Sequence, residues 1–109
     1  MSAELGLYLY PHDDRRGVSF TSEPLFVPEE LVSDWRAAPR TGRIQDILST
    51  ERYLVVPCDE VHELQADLDA LRSSVTAEPA AAAAASAIDF CESVKQRHLG
   101  VSLRREDGF

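Results

Sequence analysis

The chain has 109 residues and a formal net charge of −8, with 19 acidic residues against 11 basic ones. That length holds one domain, read as 1–109 with frayed ends at 1–3 and 106–109, and it buries roughly 60–70% of its unfolded surface. The negative balance repels phosphates, which excludes a general binder of nucleic acid or of anionic membrane. The apolar content of 44% is that of a soluble globular protein. The longest charge-free apolar run, Ala80 to Ile88, is too short and too alanine-rich to cross a bilayer. The start, "MSAELGLYLYPHDD", places Glu4 where a secretory leader carries basic residues, so a cytoplasmic location is expected. Cys58 and Cys91 do not make a disulfide framework and are expected as free thiols. The excess of arginine over lysine, together with the many alanines, reads as the composition of a GC-rich bacterial genome.

"LGLYLY" (5–10) alternates Leu5, Leu7 and Leu9 with Tyr8 and Tyr10, which predicts a strand with leucines on one face and tyrosines on the other. "PHDDRRG" (11–17) has the composition of a hairpin loop, and "VSFTS" (18–22) alternates again, giving a β-hairpin. In "VPEELVSDWRAAP", Pro28 suits the first helical position and Glu29 and Glu30 suit the positive end of the dipole. Leu31, Val32, Trp35 and Ala38 share one face, and Pro39 stops the helix. Ile44, Ile47 and Leu48 predict a further short helix. "YLVV" (53–56), ended by Pro57, reads as a buried strand central in the sheet.

The strongest periodicity follows. Asp59 is expected as an N-cap, and Val61, Leu64, Leu68, Leu71 and Val75 recur at helical spacing, which predicts an amphipathic helix over 59–75. Two readings remain open for 76–86: a flexible Ala/Pro segment, or the start of a helix from Pro79 to His98, which alanine propensity favours. Ala84, Ala87, Ile88, Cys91 and Val94 would then face inward, with Gly100 as the C-terminal stop. "VSLRR" (101–105) can add a last strand. The fold class is therefore α+β: a small sheet of about four strands packed on one face by an αα-hairpin, with short helices between. At the level of architecture alone, this layout resembles small bacterial accessory and immunity proteins.

Several constellations bear on chemistry. Cys58 and His62 form a candidate reactive pair, since a helix N-terminus stabilises a thiolate and an imidazole can take its proton. Asp59, Glu60 and Glu63 work against it, and a small apolar residue filling a strand-to-helix corner explains Cys58 equally. Cys91 and His98 lie about 10 Å apart along a helix, too far to join one zinc ion, so no metal is expected. His12, Asp13 and Asp14 hold the raw material of an acid–base site, and also of a polar turn. Arg97, Arg104 and Arg105 could hold a phosphate, but no glycine-rich loop supports them. No nucleotide-binding, hydrolase or metalloprotease motif occurs, and no cofactor is expected.

Charge is unevenly placed. Residues 59–94 carry Asp59, Glu60, Glu63, Asp67, Asp69, Glu78, Asp89 and Glu92 against Arg72 alone. The expected function is a non-enzymatic protein-binding module of inhibitor, immunity or accessory type. Its Glu60, Glu63, Asp67 and Asp69 would occlude a basic surface of a partner protein. Tyr8, Tyr10 and Trp35 are expected at an interface, which also motivates a homodimer; a monomer mass by light scattering would remove that idea. The alternatives are a small thiol-dependent enzyme or redox protein using Cys58, and a structural subunit of a larger complex.

Overall fold

The computed structural model describes residues 5–20, 24–38, 42–49 and 52–106. In chain order they form β1 (Gly6–Asp13), β2 (Val18–Ser19), β3 (Leu25–Pro28), α1 (Glu29–Ala37), α2 (Gly42–Ser49), β4 (Tyr53–Val56), a 3-10 turn at Cys58–Glu60, α3 (Val61–Ser74), α4 (Glu78–Gln96) and β5 (Gly100–Glu106). The shortest dimension, 21 Å, is that of one sheet under one layer of helices, each about 10 Å thick. This is the expected α+β arrangement. No helix among the described residues is long and apolar enough to cross a membrane.

The sheet is antiparallel, in the order β2-β1-β5-β4, with β3 also paired to β1. β1 and β5 form its centre through a register running from Gly6↔Glu106 to His12↔Gly100. Among the described residues β4 pairs with β5 alone and is an edge strand, not the central strand that "YLVV" suggests. Val56 is fully buried while Tyr53 is 48% exposed, so one covered face accounts for the apolar run. The central place goes to β5, where Gly100 to Leu103 are all buried and Val101 and Leu103 alternate with Ser102 and Arg104.

β1 runs three residues further than the alternation of leucines shows. Pro11, His12 and Asp13 belong to it, and the turn is confined to 14–17. Proline is rare in a central strand because it lacks a donor. Here the Pro11 carbonyl accepts from the Phe20 N–H, so the missing donor also faces that side, and the ladder to β5 loses no bond. The Asp13 carboxylate accepts from the Arg15 and Arg16 N–H groups, and Gly17 takes a left-handed φ of 68° to close the turn. On the return strand only Val18 and Ser19 pair as β2, and residues 21–22 of the expected second strand lie outside the described residues. β3 is an additional strand, and Pro28 ends it as the N-cap of α1 instead of opening the helix.

The helices cover the face of the sheet that carries Leu7, Leu9, Val27, Val56, Val101 and Leu103. Val61, Leu64, Leu68 and Leu71 of α3 are buried against α4, which offers Ala80, Ala84, Ala87, Cys91 and Val94. Each buried leucine contributes about 2 kcal/mol, and the small residues opposite let the helices approach closely. α4 starts at Glu78 with Pro79 in its first turn, so most of 76–86 is helix and not a linker.

Two expected helix ends are built differently. Asp59 makes no capping bond; the Cys58 N–H is instead held by the Asp14 carboxylate at 2.7 Å, across the sheet end. α4 stops before Gly100. His98 adopts φ 61° while its N–H donates to the Lys95 carbonyl and the Leu99 N–H to the Val94 carbonyl, a Schellman end with histidine in the usual glycine place. Gly100 lies inside β5, where a Cβ would strike the Val56 carbonyl.

Candidate functional site

The period of two that sends Leu7 and Leu9 into the core sends Tyr8, Tyr10 and His12 to the opposite face of β1. Register then determines their neighbours. Tyr8 faces Phe26 and Arg104, Tyr10 faces Ser102, and His12 faces Ser19 and Gly100. Tyr53 of β4 is level with Arg104. The Tyr8 and Tyr10 rings stack with centroids 6.2 Å apart, Phe26 tilts against Tyr8 at 4.8 Å, and the Arg104 guanidinium lies over the Tyr53 ring at 5.9 Å. Among the described residues no helix covers this face, and Tyr53 is 48% exposed there.

A pocket of roughly 340 Å³ opens on this surface, lined by Tyr10, Val18, Ser19, Tyr53, Ser102 and Arg104. Behind its floor runs a hydrogen-bonded chain. The Ser102 and Ser19 hydroxyls are 2.7 Å apart, and Ser19 Oγ lies 3.0 Å from Nδ1 of His12. His12 and Ser102 are 7% and 1% exposed, so the chain satisfies polar groups that are almost wholly withdrawn from water and meet it only at the pocket floor. Asp14 stands 4.0 Å beyond His12 Nε2, too long for a hydrogen bond, and its other oxygen holds the Cys58 N–H. Serine, histidine and aspartate thus stand in the order of a hydrolytic triad. Ser19 is nevertheless bonded to Ser102, and Asp14 is engaged in joining the hairpin turn to the corner after β4.

The other expected site residues are dispersed. Trp35 is fully buried and donates from Nε1 to the Ala80 carbonyl at 2.9 Å, so it is a core residue joining α1 to α4 and not an exposed aromatic. Its helical spacing with Val32 carried that signal. Cys58 is half-buried, His62 is exposed on α3, and no hydrogen bond joins them among the described residues. Cys91 is buried in the α3–α4 seam, where desolvation pushes its thiol up to about 12, beyond nucleophilic use near neutral pH. No group of three or more metal-ligating side chains occurs among the described residues.

Glu60, Glu63, Asp67 and Asp69 all lie on α3 or the turn before it, across the sheet from the pocket. Glu63 and Asp69 are exposed, Glu60 and Asp67 partly so, and Asp69 pairs with Arg72. On α4, Glu92 is held below the ordinary carboxylate range by the Gln65 side chain first and by Lys95 next. Arg105 is no phosphate ligand. It is partly buried beside α1 and α2, donating to the Glu29 carboxylate at 3.1 Å and to the Ile47 and Leu48 carbonyls.

Sequence reasoning missed Ser19, Ser102, Phe26 and Tyr53 as surface neighbours. Alternation assigned faces within a strand; only the pairing of β1 with β5 brings them together. No protein-family model, curated protein or solved structure matches the chain.

Proposed function

We propose that the chain is a binding module for another protein and that its contact surface is the open face of the sheet. One observation carries this reading: helices cover a single face, while the other presents Tyr8, Tyr10, Phe26, Tyr53 and Arg104 from paired strands. Tyrosine, phenylalanine and arginine concentrate in the cores of protein interfaces, and acidic residues are depleted there. Strand backbone holds these side chains at fixed spacing, which lowers the entropy lost on binding.

The fitting partner has an apolar centre and a basic margin. The strand ends bordering the face carry Asp13, Asp14 and Glu106, and Asp59 follows β4. The acids on α3 and α4 add to a field that draws in a basic protein from a distance. An inhibitor or immunity-type protein that occludes a basic site has these properties. Glu60, Glu63, Asp67 and Asp69 then steer the encounter, while the aromatic face makes the contact.

The test is affinity capture from a bacterial extract with the full chain, repeated with Tyr53→Lys and with the pair Glu63→Gln/Asp69→Asn. Support is a partner lost with Tyr53→Lys, kept with the α3 pair at a slower association rate, and released progressively by salt. A partner lost with the α3 pair but kept with Tyr53→Lys would move the contact to the helices and overturn the proposal. A purified chain that sediments as a dimer, and as a monomer when carrying Tyr53→Lys, would make the occupant a second copy instead.

A further inference from the structure

We infer that the pocket between Tyr10 and Tyr53 is a binding site for a small aromatic carboxylate. This goes beyond the protein-docking reading and does not rest on it. At roughly 340 Å³ the pocket falls within the range of small-ligand sites, and it joins aromatic walls to a few convergent polar groups.

Arg104 determines the charge of the ligand. Its guanidinium is exposed, lies over Tyr53, and has no carboxylate or carbonyl partner among the described residues, although the chain holds 19 acids. An arginine fork left open in this way matches a carboxylate, which it holds through two parallel N–H bonds. A doubly charged phosphate would need a second cation, and the remaining polar lining consists of hydroxyl groups.

Ser102 and Ser19 determine the far end. Ser102 precedes Arg104 by two residues on the same face of β5, about 7 Å along the strand. Each hydroxyl has one proton to give, so the chain from Ser102 through Ser19 to His12 can run in either direction. When His12 Nδ1–H donates to Ser19, Ser19 donates to Ser102, and the Ser102 proton is left for the pocket. A ligand oxygen about 7 Å from the carboxylate selects that direction and completes the chain. Tyr10 and Tyr53 flank the span between the two ends, where a flat ring stacks without polar demands. The ligand class is therefore a benzoate-like acid carrying a hydroxyl or carbonyl opposite its carboxylate.

The experiment titrates 4-hydroxybenzoate into the full chain, reading amide shifts of Ser19, Ser102, Arg104 and Tyr10 by NMR. Benzoate and inorganic phosphate serve as comparison probes. The proposal expects shifts centred on these residues with a millimolar or tighter Kd, weaker binding of benzoate, and weakest binding of phosphate. Arg104→Gln, at an exposed position that leaves the core alone, should weaken 4-hydroxybenzoate by at least about tenfold. Ser102→Ala should abolish the preference over benzoate. No localised shift up to about 20 mM, phosphate binding tighter than benzoate, or full affinity in Arg104→Gln would each overturn it.

Discussion

Replacing His98 with glycine should make the protein more stable. His98 ends α4 with φ 61°, in the left-handed region, and its side chain is exposed. A non-glycine residue costs about 1–2 kcal/mol there. Glycine removes that cost but loses about 0.5–1 kcal/mol through its freer unfolded chain. The expected net gain is about 0.5–1 kcal/mol. An alanine variant serves as the control for losing the imidazole at the helix C-terminus. With a urea m value of about 1.5 kcal/mol/M, the midpoint should rise by about 0.3–0.7 M at unchanged m. His98→Ala removes the same imidazole and keeps the strain, so it should give no gain. A glycine midpoint at or below that of the parent, or an alanine gain equal to the glycine gain, would refute the strained-cap reasoning.

Other substitutions probe the junctions of the fold. Trp35→Phe should cost about 2–4 kcal/mol in chemical unfolding, because it opens a cavity among fully buried neighbours and removes the bond to the Ala80 carbonyl. Gly100→Ala should cost about 1–3 kcal/mol, since the new Cβ meets the Val56 backbone and lies 2.9 Å from Asp14 Oδ1. Amide exchange at Cys58 should quicken in the same variant as Asp14 is displaced. Glu92 titrates below its ordinary value, so its contribution is full above the ordinary glutamate range and is lost as pH falls through the folded value. Glu92→Gln should therefore flatten the acid limb of stability against pH, as measured by urea midpoints.

The local features were legible in the residues. Spacing of three and four from Val61 to Leu71 gave α3 and its buried side, and alternation from Leu7 to Tyr10 gave both faces of β1. What escaped depends on partners distant in the chain. "YLVV" reads alike at the centre or the edge of a sheet, and only the insertion of β5 decides. Pro11 and His12 look like loop residues until the β5 pairing and the Phe20 bond are seen. Asp59 is a plausible cap by position, yet Asp14 supplies the carboxylate at that corner. Trp35 was placed on the right helical face, but whether that face meets core or solvent depends on α4. The candidate pocket needed four strands in register, which no single stretch of sequence encodes.

The pairing of residues 6–12 with 100–106 bears on how the molecule comes into being. During synthesis β1 emerges before the other elements and waits, its middle unpartnered on one side, until residues 100–106 have left the ribosome. The αα-hairpin, built from neighbouring segments, can close early, whereas the sheet is sealed by a contact spanning most of the polypeptide. A nascent chain stalled before Gly100 would carry two half-finished strand edges, a target for chaperones and a hazard for aggregation.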